Sequence, residues 1–167
     1  MWRAFCVITL VVTQSVSAAS IVFSDDDKTL KQSIVSGWQA CGEVTWCEDE
    51  LIYYRDSFIA EARVDETQVH IELLAQYSAH RLSQVQLGLR KDGFEIIKAT
   101  IGQQSLDVNT LLTGFSRLEA DKILILFINR FSQSTPRVLI WQAGQRQLEL
   151  ISDGEIIILH YHHDAQD

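Results

Sequence analysis

Residues Ser57–Leu73 read SFIAEARVDETQVHIEL. Phe58, Ala60, Ala62 and Val64 alternate with Ile59, Glu61 and Arg63. After the polar turn Asp65-Glu66-Thr67, Val69, Ile71 and Leu73 alternate with Gln68, His70 and Glu72. A period of two sends successive side chains to opposite faces of a strand, so each run has one apolar and one wet face. The pair predicts a β-hairpin in a sheet covered on one side only. Such a sheet needs a second layer over its apolar face, and this requirement sets the fold class.

The same pattern extends in both directions. Leu82–Leu89 alternates through Val85, Leu87 and Leu89, and Asp92-Gly93 then gives a hairpin-turn signal before Phe94–Ile101 returns. Lys122–Phe131 is apolar on both faces until Asn129 and Arg130, which predicts a central, fully buried strand. Arg137–Gln142, Gln147–Ile151 and Glu155–Tyr161 are further strands, separated by Ala143-Gly144-Gln145 and Asp153-Gly154. Tyr53, Tyr54 and Arg55 invite base stacking, but no basic stripe accompanies them, and cross-strand pairing is expected instead.

Two segments are helical in period. Ser24 can cap a helix whose first turn holds Asp25, Asp26 and Asp27, and Leu30, Ile34, Trp38 and Cys41 recur at helical spacing before Gly42 stops it. The aspartates lack the alternating ligands of a calcium loop. Within Asp107–Glu119, Leu111, Leu112, Phe115 and Leu118 fit a short amphipathic helix that Gly114 weakens. The expected fold is α+β and mostly antiparallel, with an N-terminal helix packed on a meander sheet of about six to eight strands and one short inserted helix. An up-and-down barrel or half-barrel is the alternative, because closure removes sheet edges.

The first residues predict an export signal. Met1–Arg3 carries one positive charge, Ala4–Val12 is apolar apart from Thr9, and Val16-Ser17-Ala18 offers small or branched residues for cleavage after Ala18. The apolar run is too short to span a bilayer, and Cys6 lies inside it, away from a lipoprotein cleavage point. The expected organisation is a cleaved signal peptide over 1–18 and one mature α+β domain over 19–167, periplasmic or secreted, with no stable membrane insertion after cleavage. Loss of Arg3 takes the formal net charge from −8 to −9. An acidic chain repels phosphate backbones and anionic lipid, so nucleic acid is not an expected partner. In an oxidising compartment Cys41 and Cys47, spaced C-x5-C, are expected to close a disulfide.

Candidate chemistry is sparse. His160, His162, His163 and Asp164 cluster near the end of the sequence, and His160 and His162 share a strand face, which suits a zinc, copper or nickel ion. His70 and His80 are possible general bases, but no nucleophile stands at a recognisable spacing and neither G-x-S-x-G nor H-E-x-x-H occurs. Glu43, Glu48, Asp49 and Glu50 form an acidic apron around the disulfide loop, flanked by Trp38 and Trp46, and together they offer a protein-docking surface. No catalytic set and no cofactor is implied. The expected function is a non-enzymatic periplasmic or envelope accessory protein that binds another protein, in an inhibitor, immunity, chaperone-like or sensor-partner role. A sheet edge or the loop Gly42–Glu50 would make the contact. The alternatives are a carrier or sensor of an apolar small molecule in a barrel-like cavity, and a hydrolase or metal-dependent enzyme.

Overall fold

The structure is a computed structural model that describes residues 19–23, 26–66 and 68–164, with only the backbone of Asp27, His163 and Asp164. The export segment predicted over 1–18 and the expected cap Ser24 lie outside the described residues. Among the described residues the chain forms four helices and nine strands. The order is α1 (Asp27–Gly37), β1 (Gln39–Ala40), β2 (Thr45–Tyr53), β3 (Asp56–Val64), β4 (Gln68–Gln76), α2 (Ala79–Lys91), β5 (Glu95–Ile101), β6 (Gln104–Asp107), α3 (Val108–Leu111), α4 (Arg117–Asn129), β7 (Arg137–Ala143), β8 (Arg146–Ser152) and β9 (Ile156–Asp164).

The strands make one open sheet in the order β1-β2-β3-β4-β9-β8-β7-β5-β6, and every neighbouring pair is antiparallel. Two meanders, β2-β3-β4 and β7-β8-β9, are joined where β9 lies against β4 over nine residue pairs, Gln68↔Asp164 to Gln76↔Ile156. The α+β class and antiparallel sheet are those the sequence predicts, and an open sheet is compatible with the half-barrel alternative. The sheet has nine strands where six to eight were expected: two expected strands are helices, while β2 and the short edge strands β1 and β6, of two and four residues, were not anticipated. Residues Ala19–Ile21 run along the rest of the β2 edge, with Ile52 N donating to Ala19 O at 2.8 Å and Ile21 N to Ile52 O at 3.2 Å. Short or covered edges blunt strand-to-strand association.

Alternation decides which face is the core. Phe58, Ala60, Ala62 and Val64 of β3, Val69, Ile71 and Leu73 of β4, and Ile157, Leu159 and Tyr161 of β9 are all buried on the inner face. They form one cluster with Leu30 and Ile34 of α1, Leu82, Val85 and Leu89 of α2, and Leu124 and Phe127 of α4. The helices therefore cover one face. Helix α1 begins at Asp26, whose side chain accepts from Thr29 N, and ends at Gly37, a turn before the expected stop at Gly42, because Gln39 and Ala40 are drawn into pairing with Cys47 and Trp46.

Two expected strands are helices. Leu82–Leu89 belongs to α2, which is capped by Ser78. Leu82, Val85 and Leu89 face the core at helical spacing, while Leu87, which suggested alternation, is exposed. Asp92-Gly93 is accordingly a helix exit: Gly93 has φ 86°, and Phe94 N donates to Leu89 O at 2.9 Å. Lys122–Phe131 lies mostly in α4, which starts from a Ser116–Glu119 capping box. Of the helix expected within Asp107–Glu119, the single turn α3 and the first residues of α4 are present.

A buried carboxylate ties three segments together. Asp92, 3% exposed, accepts from Phe23 N at 3.1 Å, Tyr53 Oη at 3.0 Å and Tyr54 Oη at 2.6 Å. Tyr53 does pair across strands, opposite Asp56, whereas Tyr54 leaves the ladder for the turn. Tyr54 sits in the β2–β3 turn at φ 56° and turns its ring against α2 at Gly88. A Cβ on Gly88 would stand 2.6 Å from Tyr54 Cδ2. Gly88→Ala should therefore destabilise by ~1–3 kcal/mol of overpacking, against the ~1 kcal/mol that alanine normally adds to a helix. A urea denaturation midpoint raised above wild type would refute this packing.

Burial, then the hydrogen bond to Asp92 and its charge, pushes the Tyr54 phenol up to about 12. Burial raises Tyr53 further, with the charge of Asp92 adding to it. These pKa values are higher folded than unfolded, so the stabilisation is complete below pH ~10 and is lost as pH climbs through about 12. Near-ultraviolet titration should show Tyr54 ionising late and together with unfolding. Asp92→Asn should bring that ionisation down and cost ~1–3 kcal/mol in stability. Tyr54 titrating near pH ~10 in the folded wild type would contradict the assignment.

Candidate functional site

The pairing of β4 with β9 builds a polar grid on the outer, uncovered face of the sheet. His70 stands directly opposite His162, and Glu72 opposite His160. Next to them on β3 are Arg63, opposite His70, and Glu61, opposite Glu72. On β8, Gln147 is opposite His162 and Glu149 opposite His160. Each of these residues alternates with a buried inner-face neighbour, so the amphipathic pattern that makes the sheet also places the grid outside it.

The four central side chains are already in contact. His70 Nδ1 and His162 Nδ1 are 2.7 Å apart, a hydrogen bond in which one imidazole donates and the other accepts. His70 Nε2 is 3.1 Å from Gln68 Oε1. His160 Nε2 is 3.4 Å from Glu72 Oε2. Around them is a depression of about 330 Å³ lined by Glu61, Arg63, His70, Glu72, His160 and His162 among others. The next row across the same face is apolar, with Ile59, Leu74, Ile158, Ile151 and Val138 in successive register on β3, β4, β9, β8 and β7. The arrangement offers imidazole nitrogens, carboxylates and, on Arg63, a guanidinium with no ion-pair partner among the described residues. These are groups suited to holding an ion or exchanging protons, and no hydroxyl or thiol nucleophile stands among them.

The predicted site residues separate into several places. His160 and His162 meet each other's neighbours on β4, whereas only the backbones of His163 and Asp164 are described, paired with Val69 and Gln68. Among the described residues no three His, Cys, Asp or Glu side chains converge on a single metal position as they stand. His80 is exposed in the first turn of α2, outside the β4–β9 ladder that builds the grid. His70 and Glu72 carry the contacts that sequence reasoning missed. Their alternation was legible, but the β4–β9 register that brings them to β9 was not.

The disulfide loop is a separate feature at the sheet edge. Cys41 and Cys47 are bonded, with a Cα–Cα distance of 5.8 Å, and they clip the β1–β2 hairpin. Trp38 is buried in the core and Trp46 is packed half-buried against it, while Glu43, Asp49 and Glu50 are exposed and Glu48 is half-buried. The bond is compatible with an oxidising, exported location, and among the described residues no helix is long and apolar enough to cross a membrane. No family model, curated protein or solved structure matches the chain.

Because the bonded loop is short, replacing both cysteines by serine should cost only about 2 kcal/mol of chain entropy. Amide exchange should accelerate in β1 and the start of β2, and the β4–β9 amides should keep their protection relative to global stability. Uniform loss of protection across the sheet would show that the bond holds more than the edge.

Proposed function

We propose that this chain is a non-enzymatic accessory protein of an exported, oxidising compartment, and that it binds another protein through the outward flank of α4. One observation carries the reading. A surface helix normally turns a single apolar stripe inward and a polar face to water. Helix α4 buries Ala120, Leu124 and Phe127, yet leaves Leu118 64%, Ile125 50% and Leu126 67% exposed. Phe115, just before it, is also exposed. Several large apolar side chains exposed on one short stretch mark a candidate interaction site.

Charge gives the partner its character. Two depressions flank α4, of about 300 and 550 Å³, and both are lined by Arg90 and Ile125. The larger also has Gln86, Asn129, Gln133 and Arg137, and no carboxylate. Arg137 is 4% exposed, and its guanidinium donates to the Thr135 carbonyl at 3.2 Å and to the Ser132 carbonyl. Neither Arg90 nor Arg137 has an ion-pair partner among the described residues. The smaller depression also holds Glu95 and Asp121 beside Arg117, so in a chain of net charge −8 the positive excess is local to the larger one, where Arg90 is the exposed cation. It fits a partner that presents apolar side chains beside carboxylates, since complementary charge sets specificity and encounter rate.

Ile125→Asp/Leu126→Asp removes the apolar flank without touching the buried face of α4. A stoichiometric protein that co-purifies with wild type from the native envelope or secreted fraction should be lost from this variant and retained by Cys41→Ser/Cys47→Ser. Retention by the α4 variant and loss from the cysteine variant would move the interface to the disulfide loop. Concentration-dependent dimerisation of the purified wild type, abolished by the α4 variant, would replace the foreign partner with a second copy.

A further inference from the structure

We propose that the outer-face grid is a binding site for one divalent ion of the zinc, copper and nickel class, held by His70 and His162 with His160 and Glu72 completing the set. The proposal is independent of the α4 reading and concerns the opposite face of the sheet. It rests on the placement of three imidazoles and a carboxylate at four neighbouring outward positions of one antiparallel pair, β4 and β9. Directly opposed residues have Cβ atoms ~4.5–5.5 Å apart, and diagonal neighbours ~7–8 Å. As they stand no three of them converge among the described residues, and spacings of this size bring a common point above the grid within reach once His160 and Glu72 turn toward the His70–His162 pair.

Two ligands are already nearly in position. Imidazole nitrogens sharing a tetrahedral zinc, with bonds of about 2.0–2.1 Å, stand ~3.3 Å from each other. His70 Nδ1 and His162 Nδ1 at 2.7 Å need to part by only a few tenths of an ångström, and the proton they share would leave as the ion enters. His160 now faces Glu72 Oε2. Its side chain is 33% exposed and that of Glu72 54%, so nothing in the core opposes a rotation that turns both toward the His70–His162 pair. The contact of His70 Nε2 with the Gln68 side chain then fixes the ring, as outer-shell carboxamides and carboxylates do in metal sites. Neutral imidazole selects this class of metal over calcium or magnesium, whose ligands are oxygen.

The test uses the untagged protein with its native C-terminus, titrated calorimetrically with Zn²⁺ and then Cu²⁺ at about pH 7.5. One equivalent should bind, with Cu²⁺ the tighter. His70→Asn and His162→Asn should each weaken binding by at least the roughly 10–100-fold that loss of an outer-shell partner costs. His80→Asn and His163→Asn should leave it unchanged. Circular dichroism of each variant confirms that the sheet is intact. Absence of saturable binding to wild type would overturn the proposal. So would affinity that survives His70→Asn and disappears in His163→Asn, because the ion would then belong to the stretch around His163 and not to the grid.

Discussion

The nine-pair ladder between β4 and β9 is the constraint on which the molecule depends. Each meander alone is a small curl of strands with one apolar face and two open edges. Pairing β4 with β9 removes an edge from each, places Val69, Ile71 and Leu73 beside Leu159 and Tyr161, and makes one inner face wide enough for three packed helices. A shift of one residue along this ladder would turn the buried set outward and the histidines inward, so the register is fixed by the core. The same register brings His70 to His162 across 92 positions of sequence. Packing on one face thus dictates chemistry on the other.

Local pattern was legible wherever it was unambiguous. The hairpin of β3 and β4, the strands β7, β8 and β9, and the turn at Asp153-Gly154 follow from period two and turn residues. In that turn Asp153 Oδ1 accepts from Glu155 N and Ile156 N at 2.8 and 2.9 Å. The disulfide followed from counting cysteines. The failures have physical causes. In α2, positions 82, 85 and 89 satisfy a helical stripe while 85, 87 and 89 satisfy a strand, and the cap at Ser78 with Arg90 and Lys91 in the last turn decides between them. In α4, apolarity on every side imitated a doubly buried strand, and the Ser116–Glu119 box was the overlooked arbiter.

That second failure is informative. A run apolar on all sides is expected to be enclosed, and the fold encloses only half of it. Local sequence and tertiary environment disagree at α4, and such disagreement concentrates where a protein does something other than hold itself together. Of the acidic apron and its tryptophans, Trp38 fills the core and Trp46 packs half-buried against it, while Glu43, Asp49 and Glu50 stay exposed. The candidate site on the outer face was half visible: its residue types and faces could be read from alternation, and its assembly depended on a pairing between distant strands.

Strand β9, the last in chain order among the described residues, lies in the middle of the sheet between β4 and β8. A polypeptide delivered N-terminus first exposes the β4 edge and an uncovered apolar face until residues near 160 arrive. No earlier segment can substitute for β9, since β5 to β8 reach β4 only through it. Joining of the two meanders therefore waits until β9 has been made, which leaves the segments before it open and threadable for longer than a sheet built from local hairpins alone.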